Sequence, residues 1–263
     1  MDILEELSAL RRADAAELER QESYDALVAR AMARPAALDF RGAFRGEGLR
    51  VISELKKASP SEGVIRADFD PVAIARDYAA NGAAAMSVLC EPHKFLGGDH
   101  SLQAVRAAVS VPLVYKDFIT TPYQVARARA CGADAILLIA AVLADGPMQE
   151  LMTLAHSFGM AALVETHTRE EIKRSVGLGA RLMGVNCRNL RTFKTDPAIT
   201  AALIAEIPPD VTRIAESGLK THADLLTCQA AGADGFLIGT TLMRAPSPGA
   251  KLRELISNES NEL

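Results

Sequence analysis

The chain has 263 residues, of which 49% are hydrophobic and 24% charged, a balance that is typical of globular proteins and argues against disorder. Its formal net charge is -4, so the chain lacks the excess of basic residues that is typical of nucleic-acid-binding proteins. The length fits a single α/β barrel with a short extension, because such barrels reach about 250 residues as one domain.

The cysteines and the apolar runs exclude further classes. No CxxC pair occurs, which leaves zinc-binding and thioredoxin-like functions without support. We expect free thiols in a reducing cytoplasm. The N-terminus has no secretion-signal pattern and no segment approaches about 18 uninterrupted apolar residues, so we expect no membrane span. The cysteines are Cys90, Cys131, Cys187 and Cys228.

Helical spacing of apolar residues predicts two helices in residues 1–48. The residues that form the pattern are Ile3, Leu4, Leu7 and Leu10 in the first helix, and Leu27, Val28 and Met32 in the second. These helices either cover one end or flank of the main domain or form a lid over a site, and the pattern favours neither. We expect Arg11 and Arg12 to lie on a solvated face of the first helix.

A Gly-Ala pair followed by a short apolar run recurs four times, at intervals of roughly 50 residues. Each glycine follows an alanine-rich stretch, and glycine readily adopts the left-handed conformation that closes a helix. The apolar runs are typical of strands buried on both faces, as in a parallel sheet covered by helices. The glycines are Gly82, Gly132, Gly179 and Gly232.

Further apolar runs lie between these repeats and bring the predicted strands to eight. The strands are residues 49–55, 85–89, 111–115, 135–139, 160–164, 182–185, 211–215 and 235–238. The predicted helices are residues 71–80, 102–108, 123–130, 148–158, 169–176, 197–205, 222–230 and 249–256.

This alternation predicts an α/β fold, a single (β/α)8 TIM barrel over residues 49–257 with residues 1–48 as an N-terminal helical extension. A doubly wound open sheet is the main alternative, but the regular spacing and the strand count favour closure. The chain ends soon after the last predicted helix. We therefore expect one domain over residues 1–263 and no fused second enzyme.

Charged residues stand at or just beyond the carboxyl ends of four predicted strands, where barrels of this kind place their reactive groups. Because buried charges are costly unless paired, convergence at one mouth predicts a mixed-charge cluster with shifted pKa values and divided acid and base roles. Alternatively, the charges only pair with one another and close the mouth. The residues are Glu54, Lys56, Lys116, Glu165 and Glu216.

Small residues follow the last two strands, where barrel enzymes frequently bind phosphate. Ser217-Gly218 comes after the seventh strand and Gly239-Thr240 after the eighth, so backbone N–H groups and hydroxyls can approach an anion there. Ser59, beyond the first strand, offers another hydroxyl. Together these positions predict a phosphate site.

These segments carry a resemblance to a known family. Residues 51–63, VISELKKASPSEG, resemble the signature segment of indole-3-glycerol phosphate synthase. Residues 116–119, 163–167, 184–190 and 215–218 resemble its motifs at the third, fifth, sixth and seventh strands. The resemblance spans nearly the whole chain, including the N-terminal helical extension.

The resemblance implies a reaction. Members of this family close the indole ring of 1-(2-carboxyphenylamino)-1-deoxyribulose 5-phosphate, with loss of carbon dioxide and water, and form indole-3-glycerol phosphate in tryptophan biosynthesis. They need no metal or organic cofactor. We therefore expect a cytoplasmic carbon–carbon lyase that takes a phosphorylated small molecule and acts as a monomer, with association with other tryptophan-pathway enzymes left open.

The resemblance also implies roles for individual residues. Lys116 matches the general acid of the condensation, and Glu165 matches the base of the dehydration. Lys56 matches the group that neutralises the substrate carboxylate, and the division of proton transfers between the two lysines stays open. The polar residues that match orienting positions are Glu54, Asn186, Glu216 and Ser217.

Binding positions follow from the same resemblance. Arg188 matches a contact to the substrate carboxylate. Phe95 matches a wall of the aromatic pocket, for which loop packing is the alternative. The residues that match the phosphate cradle are Ser59, Gly218, Gly239 and Thr240. The histidines lack metal-ligand spacing, and we expect solvated or structural roles for His93, His100, His156, His167 and His222.

Two other functions remain as alternatives. One is a different phosphate-binding barrel enzyme, such as a sugar-phosphate isomerase of the tryptophan or histidine pathway. The other is a phosphate-binding barrel that has lost catalysis and acts by interaction. The first is not expected to combine Glu54, Lys56, Lys116 and Glu165 in these motifs, and the second requires the loss of a key charged residue.

Overall fold

Eight parallel strands close into a barrel in the computed structural model, which describes residues 3–187 and 197–257. The strands are β1 (Val51–Leu55), β2 (Ala85–Leu89), β3 (Leu113–Lys116), β4 (Ala135–Ile139), β5 (Ala161–Thr166), β6 (Leu182–Asn186), β7 (Thr212–Glu216) and β8 (Gly235–Ile238). Each pairs with its neighbours in sequence, and Ile52 lies opposite both Leu237 of β8 and Ala85 of β2. The barrel is therefore closed, and the open-sheet alternative is wrong.

Helices surround the barrel and precede it. They are α1 (Ile3–Gln21), α2 (Tyr24–Met32), α3 (Pro71–Ala80), α4 (Asp99–Ala108), α5 (Pro122–Cys131), α6 (Asp145–Ser157), α7 (Arg169–Gly177), α8 (Pro197–Ile204), α9 (His222–Ala230), α10 (Thr240–Met243) and α11 (Pro248–Ser257). A hairpin of two short strands, Ala58–Ser59 and Gly63–Val64, follows β1. No helix in the described part of the chain is long and apolar enough to cross a bilayer.

Local chemistry explains where the helices begin and end. The Asp70 side chain accepts the backbone N–H groups of Val72 and Ala73 at the start of α3. Thr121 forms a capping box with Gln124 at the start of α5. Gly132, which ends α5, has a φ of 99°, a conformation that costs glycine little. The other three repeat glycines also have positive φ, as their role in closing helices predicts.

The alternation of side chains along each strand divides the buried apolar residues between two sides of the sheet. One set packs between the strands and the surrounding helices. The other fills the barrel interior and includes Ile52, Val114, Leu163 and Ile214. Two positions further along the same strands lie, in the same order, Glu54, Lys116, Glu165 and Glu216. The strand period therefore points these charges toward the barrel axis, above an apolar floor.

The two N-terminal helices occupy different places. Helix α2 packs along α5, where Leu27 and Ala31 are buried with Ala126 and Ala130. The first turns of α1 instead reach the barrel mouth, and Ile3, Leu4 and Leu7 line the cavity there. Helix α2 thus covers a flank of the barrel, and the start of α1 lies at its mouth.

Arg11 corrects the expectation of a solvated arginine pair. Its side chain is buried, and its Nε and Nη2 donate to both carboxylate oxygens of Asp117, at 2.6–3.0 Å. Its Nη1 donates to Asp14 at 2.6 Å. Arg12, one position further, is exposed as expected. The helix that crosses the mouth is consequently tied to the loop after β3.

Candidate active site

The carboxyl ends of the strands open into one cavity of about 1150 Å³, counting the space open to solvent. All but one of the predicted site residues line it. They are Glu54, Lys56, Ser59, Phe95, Lys116, Glu165, Asn186, Glu216, Ser217, Gly218, Gly239 and Thr240. The exception, Arg188, lies outside the described residues. Convergence of the strand ends thus brings together residues up to 186 positions apart, from Glu54 to Thr240.

Lys116 lies among carboxylates at the base of this cavity. Its Nζ is 3.3 Å from Glu165 Oε2 and 3.9 Å from Glu216 Oε2. Burial lowers the pKa of Lys116, but the surrounding carboxyl groups, with Glu165 as the largest contributor, outweigh burial and raise that pKa above its ordinary value. The Lys116 side chain is therefore protonated and can donate a proton.

Glu165 is held in its ionised form. Burial raises the pKa of its carboxyl, but Lys116 and His167 outweigh burial and bring that pKa below its ordinary value. The side chain is 6% exposed, so water screens these interactions little. Glu165 therefore faces the cavity as a carboxylate that can accept a proton.

Glu216 behaves in the opposite way. Burial and the neighbouring Glu165 charge raise the pKa of Glu216 to about 8, so its carboxyl is protonated at neutral pH. A Cβ at position 184, on the adjacent strand, would overlap Glu216 Oε1, which makes Gly184 a requirement for this placement. Two carboxyl groups beside one lysine thus differ in protonation state.

Glu54 and Lys56 form a second ion pair on the β1 side of the mouth. Lys56 Nζ lies 2.7 Å from Glu54 Oε1, and both side chains are less than one-tenth exposed. Gly239, at the end of the neighbouring strand β8, makes room for the pair, because a Cβ there would overlap Glu54 Oε1. A cationic group is thereby held at the cavity wall beside the small residues after β8.

The ends of β6 and β7 present polar groups side by side. Asn186 lies opposite Glu216 in the strand register, and Ser217 Oγ donates to Asn186 Oδ1 at 2.7 Å. Ser217 and Gly218 have φ values of 61° and 79°. Successive residues in this conformation are rare outside glycine and are typical of functional turns.

The predicted phosphate residues share the β7–β8 side of the cavity. Gly239 precedes the short helix α10, which Thr240 begins. Thr240 Oγ1 is buried and has no hydrogen-bond partner among the described residues. A buried hydroxyl without a partner is costly, and an anionic oxygen in the cavity would satisfy it. Ser59, which follows the neighbouring strand β1, also lines the cavity, and its Oγ lies 3.4 Å from Ser61 Oγ.

Phe95 lies in the loop after β2 and its ring lines the cavity beside Phe118, with ring centroids 6.3 Å apart. Glu91, which the sequence did not single out, fixes this loop. Its buried carboxylate accepts the backbone N–H groups of His93, Lys94 and Phe95 at 2.6–2.9 Å. In the sequence, the only indication of this role was the position of Glu91 just beyond a predicted buried strand.

His167, for which we expect a solvated or structural role, is largely buried beside Glu165. It follows β5, and its Nε2 lies 3.3 Å from Glu165 Oε1 while its Nδ1 lies 3.4 Å from Glu171 Oε2. It comes two positions after Glu165 at the same strand end, which was the only signal in the sequence. Within residues 3–187 and 197–257, no group of three or more His, Cys, Asp or Glu side chains is arranged to hold a metal ion.

Comparisons with known proteins agree with the strand-end motifs. The family model described as indole-3-glycerol phosphate synthase matches residues 4–255. The indole-3-glycerol phosphate synthase of Streptomyces griseus subsp. griseus is 43% identical over 98% of this chain and 96% of its own length. That of Burkholderia cenocepacia is 45% identical over 97% of this chain and 98% of its own.

A solved structure shows the same architecture at low identity. Thiamine phosphate pyrophosphorylase from Pyrococcus furiosus superposes with a TM-score of 0.58 at 14% identity, over 79% of this chain and 93% of its own, a likeness of fold alone. The full-length matches go further and confirm the resemblance carried by the strand-end motifs. The chain belongs to the indole-3-glycerol phosphate synthase family.

Proposed function

We propose that the mouth of this barrel converts 1-(2-carboxyphenylamino)-1-deoxyribulose 5-phosphate to indole-3-glycerol phosphate, carbon dioxide and water. The observation that carries the proposal is Lys116, held as an ammonium group between Glu165 and Glu216 at the base of the cavity. The reaction needs a proton donor where a ring carbon attacks a carbonyl, and a base where water is lost. This cluster supplies both.

Lys116 acts as the general acid of the condensation. As the aromatic ring attacks the ketone carbon, negative charge develops on the carbonyl oxygen, and a nearby ammonium group donates a proton to it. Loss of carbon dioxide then restores the aromatic ring. The surrounding carboxylates keep Lys116 protonated between turnovers, because they raise its pKa.

Glu165 acts as the base of the dehydration. The new hydroxyl leaves as water with a second proton supplied by the lysines, while Glu165 removes a proton from the five-membered ring. Its ionised state in the cavity suits this role, since Lys116 and His167 lower its pKa. Glu216, Asn186 and Ser217 orient these groups through the contacts at the ends of β6 and β7.

The two anionic ends of the substrate fit neighbouring parts of the mouth, at the ends of β7 and β8 and at the end of β1. The phosphate binds where Gly218, Gly239 and Thr240 offer backbone N–H groups and a buried hydroxyl, with Ser59 closing the site. Lys56, held by Glu54, neutralises the carboxylate, and Arg188 assists it. Phe95 and the start of α1 form apolar walls for the ring.

The test is direct. Purified protein is incubated with the carboxyphenylamino ribulose phosphate, and indole fluorescence is followed with time. We expect turnover in the wild-type protein and none above background in Lys116→Ala. Absence of signal in the wild type, under conditions where calorimetry shows that the substrate binds, would overturn the proposal.

We also propose that the chain acts as a monomer in the cytoplasm, with contacts to other tryptophan-pathway enzymes as a further possibility to test. Support for the reducing compartment comes from Cys90, Cys131 and Cys228, which are free and buried. Analytical ultracentrifugation checks the assembly state, and a concentration-dependent dimer at working concentrations would contradict it.

A further inference from the structure

The ring of His167 lies between two carboxylates behind the proposed base. It is 13% exposed, with Nε2 3.3 Å from Glu165 Oε1 and Nδ1 3.4 Å from Glu171 Oε2. Neither contact has the alignment of a hydrogen bond, so both are ion pairs. The ring does not line the cavity, and a role in touching the substrate is therefore not indicated.

Glu165 uses its two oxygens for two different cations. Oε2 faces Lys116 Nζ at 3.3 Å, on the cavity side, and Oε1 faces His167. The carboxylate thus bridges the proton donor and the histidine. When Lys116 transfers its proton, it becomes a neutral amine, and among the described residues His167 is then the remaining cation in contact with Glu165.

The first turn of α7 fixes the other side of the ring. Glu171 Oε2 accepts the backbone N–H of His167 at 2.7 Å, and the backbone N–H of Glu171 is capped by Thr168 Oγ1 at 3.2 Å. The Glu171 backbone is therefore held at the helix start, and its carboxylate is held by the backbone N–H of the loop. His167 consequently has a fixed anion at Nδ1 as well as at Nε2.

The charged and titratable groups around His167 come from four elements. Glu165 lies on β5 and Glu171 on α7, while Lys116 on β3 and Glu216 on β7 act through Glu165. Arg174, further along α7, acts on Glu171. Burial lowers the pKa of His167, but the two carboxylates outweigh it and raise that pKa to about 10, so the ring is a cation at neutral pH.

We propose that His167 is a positioning residue for Glu165, one that holds its carboxylate plane in place and keeps it ionised after Lys116 has given up its proton. The inference rests on the proposed function of Glu165 as the base of the dehydration. A carboxylate that lost its only cationic partner during turnover would be free to rotate and to take up a proton. The second cation prevents both.

His167→Gln tests the proposal, because it removes the cation and keeps a polar side chain. We expect kcat to fall at least about tenfold with KM within about twofold, since the substrate contacts stay in place. The acid limb of the kcat–pH profile moves up by about one unit or more, because an opposite charge at this distance lowers a carboxyl pKa by that amount. His167→Lys, which retains a cation, restores the lower acid limb.

Glu171→Gln provides a second test that leaves His167 in place. The amide oxygen still accepts the backbone N–H of His167, so the loop keeps its anchor, but one of the two anions is gone. We expect the His167 pKa, followed by NMR of labelled histidine, to fall. The kcat of this variant then drops toward that of His167→Gln as the pH rises through the new histidine pKa. This variant also decides the matter if His167→Gln does not fold.

The matched control is His156→Gln, the same change at an exposed position on α6, which leaves kcat and its pH profile as in the wild type. An unshifted acid limb in folded His167→Gln, with or without a loss of kcat, would overturn the positioning role. That result leaves the wild-type activity standing. Failure of the wild type to convert the substrate would instead sink the proposed function itself, so the two failures are distinguishable.

Discussion

Arg11 lies one turn of α1 beyond Leu7, which lines the barrel mouth, and donates to both carboxylate oxygens of Asp117, the residue directly after Lys116. Asp117 is fully buried and also accepts its neighbour's backbone N–H at Phe118, at 2.8 Å. One ion pair therefore links the N-terminal helix to the loop that carries the proposed acid. The partners are 106 residues apart in sequence.

Arg11→Met is expected to destabilise the protein by about 3–5 kcal/mol, because it leaves the Asp117 carboxylate buried without its cation. KM should rise as well, since α1 carries Ile3, Leu4 and Leu7 at the cavity. Urea unfolding and steady-state kinetics measure the two effects. Arg12→Met, at the exposed neighbour, is the matched control. Unfolding free energies that agree for both variants would show that the pair contributes nothing.

Lys116→Ala should lower kcat by about 10²–10⁴-fold, the usual contribution of a positioned general acid, and leave the fold intact. Circular dichroism verifies the fold, and indole fluorescence gives kcat. Lys173→Ala, at an exposed lysine of α7, serves as the control and retains full activity. A near-normal kcat in Lys116→Ala would rule out its role as the acid.

Thr240→Val replaces a buried hydroxyl with a methyl group of similar size. If that hydroxyl binds phosphate, the charge-assisted hydrogen bond is worth about 1.5–3 kcal/mol, and KM rises about 10- to 100-fold with little change in kcat. Inhibition by inorganic phosphate weakens in parallel. Thr240→Ser keeps the hydroxyl and should behave as the wild type. An unchanged KM in the valine variant would argue against the contact.

Glu216 makes the stability of the fold depend on pH. Its folded pKa of about 8 lies above the ordinary 4.5, so between these values the native state holds a proton that the unfolded state releases. The contribution of Glu216 to the free energy of unfolding therefore falls as pH rises from 4.5 toward 8. In the Glu216→Gln variant this side chain cannot ionise, so the loss of stability with rising pH is absent.

We expect Glu216→Gln to be more stable than the wild type near pH 8 and less different from it near pH 5, with reduced activity at both. Denaturant titrations at the two pH values measure the difference. A stability difference that is independent of pH would contradict the raised pKa.

Sequence periodicity located the strands and helices because those signals are local. Helices α3 and α9 have the predicted limits, whereas α4 begins three residues earlier than predicted, at Asp99 rather than Leu102. Strand β1 begins at Val51 rather than Leu49. Element ends depend on caps and pairing partners, which apolar patterns do not report.

The site was predictable in so far as it follows from strand ends. Once eight parallel strands close, Lys116, Glu165 and Glu216 must meet at one mouth, and the family motifs named the same residues. Arg11 and His167 could not be found in this way. Their partners depend on how α1 crosses the barrel and on how α7 starts, and neither relationship leaves a periodic trace in the sequence.

Gly184 and Gly239 show a further limit. In the sequence they read as a residue within a repeat and as part of a phosphate turn, respectively. In the fold, the absence of a side chain at Gly184 leaves room for the Glu216 carboxyl, and its absence at Gly239 leaves room for that of Glu54. Such a requirement arises from the pairing of adjacent strands and is invisible in either strand alone.

The seam between β8 and β1 joins the last strand of the barrel to the first, and the Glu54–Lys56 pair lies beside Gly239 across that seam. The proposed carboxylate and phosphate subsites therefore do not exist in any partial barrel. A ribosome-bound chain that has not yet released β8 has its lysines and glutamates but cannot turn over substrate. The moment at which activity appears during synthesis or refolding therefore reports when the barrel closes.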